Sequence, residues 1–433
     1  MSDRIGIRER LGWPDVGGHR RFVTAIAIDA VGSGVFMPVS VLYFLATTDL
    51  DLVAVGAALS LAALVALPTG PLLGGVVDRV GAKQVLLLGN ALQALGFLAY
   101  LVADSFAAVV VWTMVVTAGR TAFWGSYGAL VTVISRPGER ELWFGFLGAL
   151  RNVGFALGGL AAGLAITVGT GAAYSAVVLV NAVSFAVAFV LLLGVPAPPA
   201  RALSAEPGSW RPVLRDGPFR LLLGVQLGYC LAMMLLNIAL PVYATEVLGL
   251  PGWVTGAVFT LNTVMVGFGQ GLVVRAMTGA RRWRVMLLAQ LAFVASYVVL
   301  VVAGALPVGL AVAVLLLGSV VYTLGELLGG PVLGATTAEH APDRLRGRYL
   351  SLVQVAWNAA GVVAPVAFAV LLDAGTWPLF AVLGVVGLAA SIGAVRVGAV
   401  MPTAADRVTN AAAPEETGEE PGQAPGVEPA AVV

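Results

Sequence analysis

Four ionisable side chains interrupt the long apolar runs of this 433-residue sequence: Asp29, Arg120, Arg151 and Glu326. A charge at the centre of a bilayer costs roughly 2.5–3.5 kcal/mol on insertion scales, and such residues usually mark ion or substrate pathways. Loss of water disfavours an ionised carboxyl group, which can then exchange a proton near neutral pH, while a nearby guanidinium opposes this effect. The pattern predicts proton-loading chemistry at Glu326 and Asp29, with Arg120 as a charge partner.

Each of the four residues also has a structural interpretation. Glu326 could be a carboxyl group bonded to a neighbouring helix, and Asp29 could lie at the membrane interface. Arg120 could belong to a purely structural ion pair, because buried charges need partners whatever their role. Arg151 could extend its side chain to the membrane surface.

Apolar helices must position these residues. Hydrophobic residues make up 59% of the chain and charged residues only 11%, with a mean hydropathy of +0.95. A soluble globular protein carries about 25% charged residues, and a chain this apolar would expose large apolar patches in water. The apolar runs are continuous, whereas transmembrane strands alternate. The composition therefore predicts an all-α integral membrane protein.

The apolar runs between charged clusters give twelve predicted helical spans, numbered one to twelve in chain order. Arg and Lys fall in the N-terminal segment, in alternate loops and in the C-terminal segment, and the intervening loops hold acidic residues instead. Cytoplasmic loops carry the excess of positive charge, so both termini are predicted to be cytoplasmic. The predicted ranges are 22–46, 53–77, 84–103, 106–134, 142–166, 172–195, 219–245, 252–277, 284–304, 307–336, 349–372 and 377–398.

The predicted spans and the composition between them divide the chain into five regions. A proline-rich, arginine-rich stretch separates two six-helix halves, and a final stretch rich in Ala, Pro, Gly and Glu is predicted to be disordered. The regions are a cytoplasmic N-terminal segment (1–21), an N-terminal half (22–195), a cytoplasmic linker (196–218), a C-terminal half (219–398) and a disordered cytoplasmic tail (399–433).

Short matches between the halves indicate an internal repeat. Their offsets lie between 197 and 206 residues and always join spans six apart. The halves then keep the same orientation, related by an axis along the membrane normal, with a cavity between them near the midplane. The matches are Thr117-Ala118-Gly119-Arg120 with Thr323-Leu324-Gly325-Glu326, Asn152 with Asn358, Pro38-Val39 with Pro241-Val242, and Gly74-x-x-x-Asp78 with Gly271-x-x-x-Arg275.

The segment after span two reads Gly74-Gly75-Val76-Val77-Asp78-Arg79-Val80-Gly81-Ala82-Lys83. It resembles the signature loop of the major facilitator superfamily, G-x-x-x-D-R-x-G-x-[RK], at the family's position. The resemblance implies that the loop ties helix ends together in one conformation, so that it gates access. Positive charge that only sets the topology is the alternative. The candidate gating residues are Gly74, Asp78, Arg79, Gly81 and Lys83.

Span five carries glycines whose spacing resembles the motif of drug/proton antiporters, with Gly159 in place of the usual proline. Close packing of helices at small residues is the plainer reading. Arg120 is similar to the family's basic residue in span four, and Gly325-Glu326 resembles a subset of proton-coupled multidrug exporters. The glycines concerned are Gly145, Gly154, Gly158, Gly159 and Gly163.

Aromatic and amide side chains in the spans are candidates for a substrate cavity, since they suit a large amphipathic ligand among apolar walls. Core or lipid-facing positions are the alternative. The resemblance implies a secondary active transporter of the plasma membrane that exports drug-like molecules against inward proton flow by alternating access. A symporter or metabolite exporter on the same fold and a non-transporting receptor are alternatives. The cavity candidates are Arg151, Asn152, Phe123, Trp124, Tyr127, Asn237, Asn262, Gln270, Trp357 and Asn358.

Other classes find no support in the sequence. No phosphate-binding P-loop or catalytic constellation is visible, so neither an enzyme nor ATP as the energy source is predicted. With the single Cys230, and with His19 and His340 beside arginine-rich loops, no metal site or other cofactor is expected. The net charge of +1 does not suggest nucleic acid. The expected partners are the lipid bilayer, a small-molecule substrate and protons, with sodium left open as the coupling ion.

Overall fold

The computed structural model describes residues 13–66, 68–136, 138–196, 209–251, 253–375, 377–401 and 406–410. Eleven helices in these residues are long and apolar enough to cross a membrane. They match predicted span one and spans three to twelve. Their bounds are Gly17–Thr47, Ala82–Tyr100, Phe106–Ile134, Arg140–Val168, Gly171–Leu193, Gly217–Thr245, Trp253–Ala276, Arg282–Ala303, Val308–His340, Asp343–Asp373 and Pro378–Val400.

The region predicted as span two consists of two shorter helices, Leu52–Ala66 and Thr69–Val80. They have 15 and 12 residues, about 22 and 18 Å at 1.5 Å per residue. Each is shorter than the roughly 30 Å hydrocarbon core, and residue 67 between them lies outside the described residues. These two helices are together called span two below. The number of twelve membrane spans therefore stays a prediction.

Spans one and seven contain irregular turns at corresponding places. Span one changes from the α-helix Arg20–Phe36 through a 3₁₀ turn to the helix Ser40–Thr47. In span seven, the helix Gly217–Met234 is followed by two π-helical turns on either side of Leu240–Val242. Each irregular stretch holds a proline of the internal repeat, and proline removes one backbone donor from the helix. The remaining short helices are Gly17–His19, Arg211–Arg215 and Asp343–Leu345.

The spans pack in two groups. Spans one to six contact one another, with span two packed mainly on span four, and spans seven to twelve form the second group. Span two joins span eleven, span four joins span eleven, and span five joins spans eight and ten. The larger clusters of buried apolar side chains lie inside one group each. A smaller cluster crosses the boundary between the groups, called the seam below, and packs Leu350 of span eleven with Val77, Val85, Ala122 and Ala129.

Two tyrosines make equivalent bonds in the two groups. The Tyr43 hydroxyl donates to the carbonyl of Tyr100 at 2.7 Å, and the Tyr243 hydroxyl donates to the carbonyl of Leu300 at 2.9 Å. Each bond joins residues 57 apart in sequence. This agreement supports the internal repeat through residues that the sequence comparison did not single out.

The glycines of span five divide into packed and open positions. A Cβ atom on Gly154 would lie 2.6 Å from the Cβ atom of Ala30, and one on Gly158 would lie 2.3 Å from the carbonyl oxygen of Val31. Span one therefore approaches span five closely at these two glycines. Cβ atoms on Gly159 and Gly163 would meet nothing within 4 Å.

Gly145 contacts the second group instead of span one. A Cβ atom there would lie 2.8 Å from Cγ2 of Val274 in span eight. The glycine motif thus serves two contacts, one with span one inside the first group and one across the seam.

Residues 406–410, which lie within the tail predicted to be disordered, contact the loop before span nine. Val408 is fully buried, and Arg407 forms a bridge with Arg281 at the start of span nine. Residues 399–401 of the predicted tail are described at the end of span twelve. Residues 402–405 and 411–433 lie outside the described residues, as do most of the linker (197–208) and residues 1–12.

Gly158→Ala is predicted to destabilise the protein, because the added methyl group would collide with the backbone of span one. Overpacking of this kind costs about 1–3 kcal/mol. Gly159→Ala adds the same atoms in open space and should leave the unfolding temperature in detergent unchanged or higher. Equal unfolding temperatures for the two variants would show that span one does not pack on Gly158.

Candidate functional site

Asp29 and Arg151 form an ion pair between span one and span five. Nη1 of Arg151 donates to Oδ2 of Asp29 at 2.6 Å, and the two residues are only 3% and 7% exposed. Arg151 is therefore directed into the first group and not to its surface. Arg120, the predicted partner of a carboxylate, is instead exposed on span four.

Aromatic rings surround the guanidinium of Arg151. Its central carbon lies 4.4 Å from the ring centroid of Trp124 and 5.4 Å from those of Phe123 and Phe155. Tyr127 stacks on Phe123 at 5.8 Å. Cation–π contacts of this kind stabilise a desolvated cation. Phe155 was not predicted, although it is one helical turn beyond Arg151 and thus on the same face.

Glu326 is held by an amide and not by a cation. Nδ2 of Asn262 in span eight donates to Oε2 of Glu326 at 2.7 Å and also lies 3.2 Å from Oγ1 of Thr323. Glu326 is 8% exposed, and among the described residues no ion pair involves it. The second group thus holds a buried carboxyl group whose described partner is neutral, whereas the first group holds a carboxylate paired with a cation.

The remaining predicted cavity residues have varied surroundings. Gln270 is buried and donates to the carbonyl of Leu327 at 2.9 Å, which joins spans eight and ten. Trp357 packs edge-on against Tyr229 with ring centroids 6.1 Å apart. The other amides bond within their own helices: Asn152 to Gly148, Asn237 to Met233, and Asn358 from Gln354.

The signature loop contacts the start of span eleven across the seam. Oδ1 of Asp78 accepts the backbone N–H of Gly347 at 2.6 Å, and Oδ2 lies 3.3 Å from Nη1 of Arg348. A Cβ atom on Gly74 would lie 2.3 Å from Oγ of Ser351. The absence of a side chain at Gly74 is therefore what allows this close approach.

Other residues of the loop have different surroundings. Gly81 has a φ of 97°, which favours glycine at the turn into span three. Nζ of Lys83 donates to the carbonyl of Leu193 at the end of span six, where a cation complements the helix dipole. Arg79 is exposed. Of these residues, Gly74 and Asp78 make the contacts across the seam described above.

A second polar cluster crosses the seam at the same end of the molecule. Nε of Arg282, the first residue of span nine, donates to Oε1 of Glu141 in span five at 2.6 Å. Arg282 also pairs with Glu339 at the end of span ten, and Arg140 lies 3.8 Å from Glu339. Glu141 is fully buried. This cluster was not predicted from the sequence, although Glu141 is an acidic residue beside an arginine-rich loop.

His340 is not a solvated loop residue, because its Nε2 lies 2.9 Å from Oδ2 of Asp216. The Tyr349 hydroxyl donates to the same oxygen at 2.6 Å, and Oδ1 accepts the N–H of Phe219. Burial raises the pKa of Asp216, but hydrogen bonds from Tyr349, Phe219 and His340 outweigh it and hold that pKa below its ordinary value. Asp216 thereby joins the ends of spans seven, ten and eleven.

Known proteins resemble this chain in sequence. A family model described as the Major Facilitator Superfamily matches residues 22–325. The class G tetracycline resistance protein of Vibrio anguillarum is 31% identical over 173 residues, which is 39% of this chain and 43% of that protein. The class B protein of Escherichia coli is 32% identical over 164 residues, 37% of this chain and 40% of that protein. The chain thus spans less than half of each relative.

Solved structures show the same fold at low sequence identity. A bacterial homologue of the iron transporter ferroportin, in an outward-facing state, has a TM-score of 0.71 at 16% identity, over 88% of this chain and 99% of that chain. The E. coli fucose:proton symporter FucP (N162A) has a TM-score of 0.70 at 15% identity, over 87% and 98%. The human organic anion transporter MFSD10 (TETRAN) has 0.66 at 17%, over 87% and 99%.

Asp29→Asn is predicted to destabilise the protein more than the double variant Asp29→Asn/Arg151→Gln. The single change leaves the Arg151 guanidinium buried without its anion, and breaking a buried pair from one side costs about 3–5 kcal/mol. Thermal unfolding in detergent measures both, with Asp104→Asn at an exposed loop position as the control. A double variant no more stable than the single one would contradict the pairing.

Proposed function

Because the chain belongs to the major facilitator superfamily, we propose that this multi-pass membrane transporter exports drug-like or amphipathic small molecules in exchange for protons. The proposal includes twelve spans in two six-helix halves, with both termini in the cytoplasm and the protein in the plasma membrane. The partial alignments to two tetracycline resistance proteins support export of a drug-like substrate.

The setting of Glu326 carries the proposal. Its carboxyl group is buried, and its described partner is the neutral amide of Asn262. Desolvation disfavours a carboxylate that no cation compensates, so protonation there removes an unpaired charge. Protonation of Asp29 would instead leave the Arg151 cation without its anion. The two acidic residues are thus unequal, and Glu326 is the better proton site.

The contacts across the seam suggest how proton binding is used. The polar contacts of Asp78 and Glu141 hold the two groups together at the end that carries the signature loop, which we assign to the cytoplasm. In this cytoplasm-closed state, Glu326 takes up a proton from outside while substrate leaves. The contacts then break, and the proton leaves to the cytoplasm while substrate binds.

The substrate region proposed lies between Glu326 and the aromatic side chains around Arg151. Trp124 and Phe155 are half-buried, so part of each ring is available to an apolar ligand. A site with such rings, amides and one uncompensated carboxyl group suits an amphipathic molecule that carries a positive charge.

Glu326→Gln is predicted to abolish substrate-driven proton movement while leaving the fold intact, because glutamine retains the size of glutamate but binds no proton. The measurement uses proteoliposomes with an imposed pH gradient and a pH-sensitive dye. The substrate panel is tetracycline, other neutral antibiotics and lipophilic cations. Glu326→Asp keeps an ionisable group, and Asp104→Asn controls for the loss of a carboxyl group elsewhere.

We expect substrate addition to release protons from the wild type. This release should be lost in Glu326→Gln, kept in part in Glu326→Asp and unchanged in Asp104→Asn. Wild-type behaviour of Glu326→Gln would move the proton site to Asp29. Substrate uptake in the direction of proton flow would identify a symporter on the same fold, and a response to sodium alone would change the coupling ion.

A further inference from the structure

Residues 406–410, called the clasp below, pair with the loop between spans eight and nine. The backbone N–H of Gly279 donates to the carbonyl of Val408 at 2.7 Å, and the N–H of Val408 donates to Ala280 at 3.0 Å. The N–H of Arg282 donates to the carbonyl of Asp406 at 2.7 Å. A short extended segment is thus added to the edge of this loop by main-chain bonds, a common mode of peptide recognition.

Side chains of the clasp extend the contact. Val408 is fully buried, and the amide of Asn410 donates to the carbonyl of Val274 at 2.6 Å and lies 2.9 Å from Oγ1 of Thr278. The Asp406 carboxylate lies 3.4 Å from Nε of Arg281. Both ends of the segment are therefore attached to the second group of spans.

One bond of the clasp reaches the first group. Oγ1 of Thr409 donates to the carbonyl of Gly138, in the loop between spans four and five, at 3.1 Å. The clasp also holds the backbone of Arg282, whose side chain bonds Glu141 of span five. The segment therefore crosses the seam directly through Thr409 and supports a second crossing through Arg282.

We propose that this surface is a docking site for the chain's own C-terminal segment, and that the docked clasp stabilises the state closed at the signature-loop end. The Thr409–Gly138 bond joins two bodies that must separate when that end opens. It is formed only in the closed state, so its free energy shifts the equilibrium toward closure. The inference rests on the alternation of the proposed function but not on its proton site or its substrate.

The test removes the crossing bond without removing volume. Thr409→Val replaces the hydroxyl group by a methyl group of similar size, Thr409→Ser keeps the hydroxyl, and Val408→Asp places a charge in the buried position of the clasp. Opening is read from the alkylation rate of a cysteine introduced by Ser351→Cys, in a Cys230→Ala background. Ser351 is 1% exposed and lies against Gly74 across the seam. A membrane-impermeant maleimide is added from the signature-loop side, without substrate or pH gradient.

Alkylation should be about two- to threefold faster in Thr409→Val than in the parent, the low end expected for one lost hydrogen bond, because this bond is exposed and water can partly replace it. Thr409→Ser should match the parent, and Val408→Asp should be at least as fast as Thr409→Val. Rates equal to the parent in Thr409→Val, or acceleration in Thr409→Ser as well, would overturn the proposal. Neither result depends on Glu326 or on a transported compound, so failure of the clasp and failure of proton-coupled export are distinguishable.

Discussion

A charge removed from water needs a compensating partner, and the arrangement of the spans depends on how each buried charge meets that requirement. In the first group, Asp29 and Arg151 satisfy each other at 2.6 Å, and aromatic rings cover the guanidinium. This fixes span one against span five, which in turn requires the small residue at Gly158. Ion pairing and close backbone approach are two sides of one contact.

The same requirement explains why the seam can open. The buried apolar cluster around Leu350 that crosses the seam is smaller than the clusters inside the groups. A larger apolar core there would be exposed to water whenever the groups separate, at a cost of about 25 cal/mol for each Å² exposed. The polar side chains at the seam can be hydrated when their contacts break. They include Glu141, Arg282 and Asp78. Glycines at positions 74 and 347 bring the backbones close without adding apolar surface. Such a seam stabilises the closed state but keeps the free energy needed to reach the open state small.

Much of the fold could be predicted from the sequence because the bilayer imposes span length and charge placement directly. The approximate positions of eleven spans followed from the apolar runs and from the charged and turn residues that separate them. The two short helices of span two did not, since an apolar run does not show where a helix is interrupted. Less of the candidate site could be predicted from the sequence. That Asp29 pairs with Arg151 and not Arg120 depends on the rotation of two helices about their axes, which no local pattern specifies. The clasp was missed because its partners are far away in the sequence: Gly279, Val274 and Gly138 are 128, 136 and 271 residues from the clasp residues that they contact.

Asp29 and Glu326 have different partners, and this difference is the reason we assign them different roles. A carboxylate already paired with a cation changes its charge only if the pair breaks, so Asp29 suits a structural or substrate-exchanging role. A carboxyl group bonded to a neutral amide can change its charge without leaving another ion unpaired, as at Glu326. The amide of Asn262 comes from span eight, which also contacts span five across the seam through Gly145 and Val274. A shift of span eight at the seam would therefore change the hydrogen bonding of Glu326 directly. Span eight is thus a mechanical connection between the seam and the proposed proton site, beside span ten, which carries both Glu326 and the seam residue Glu339.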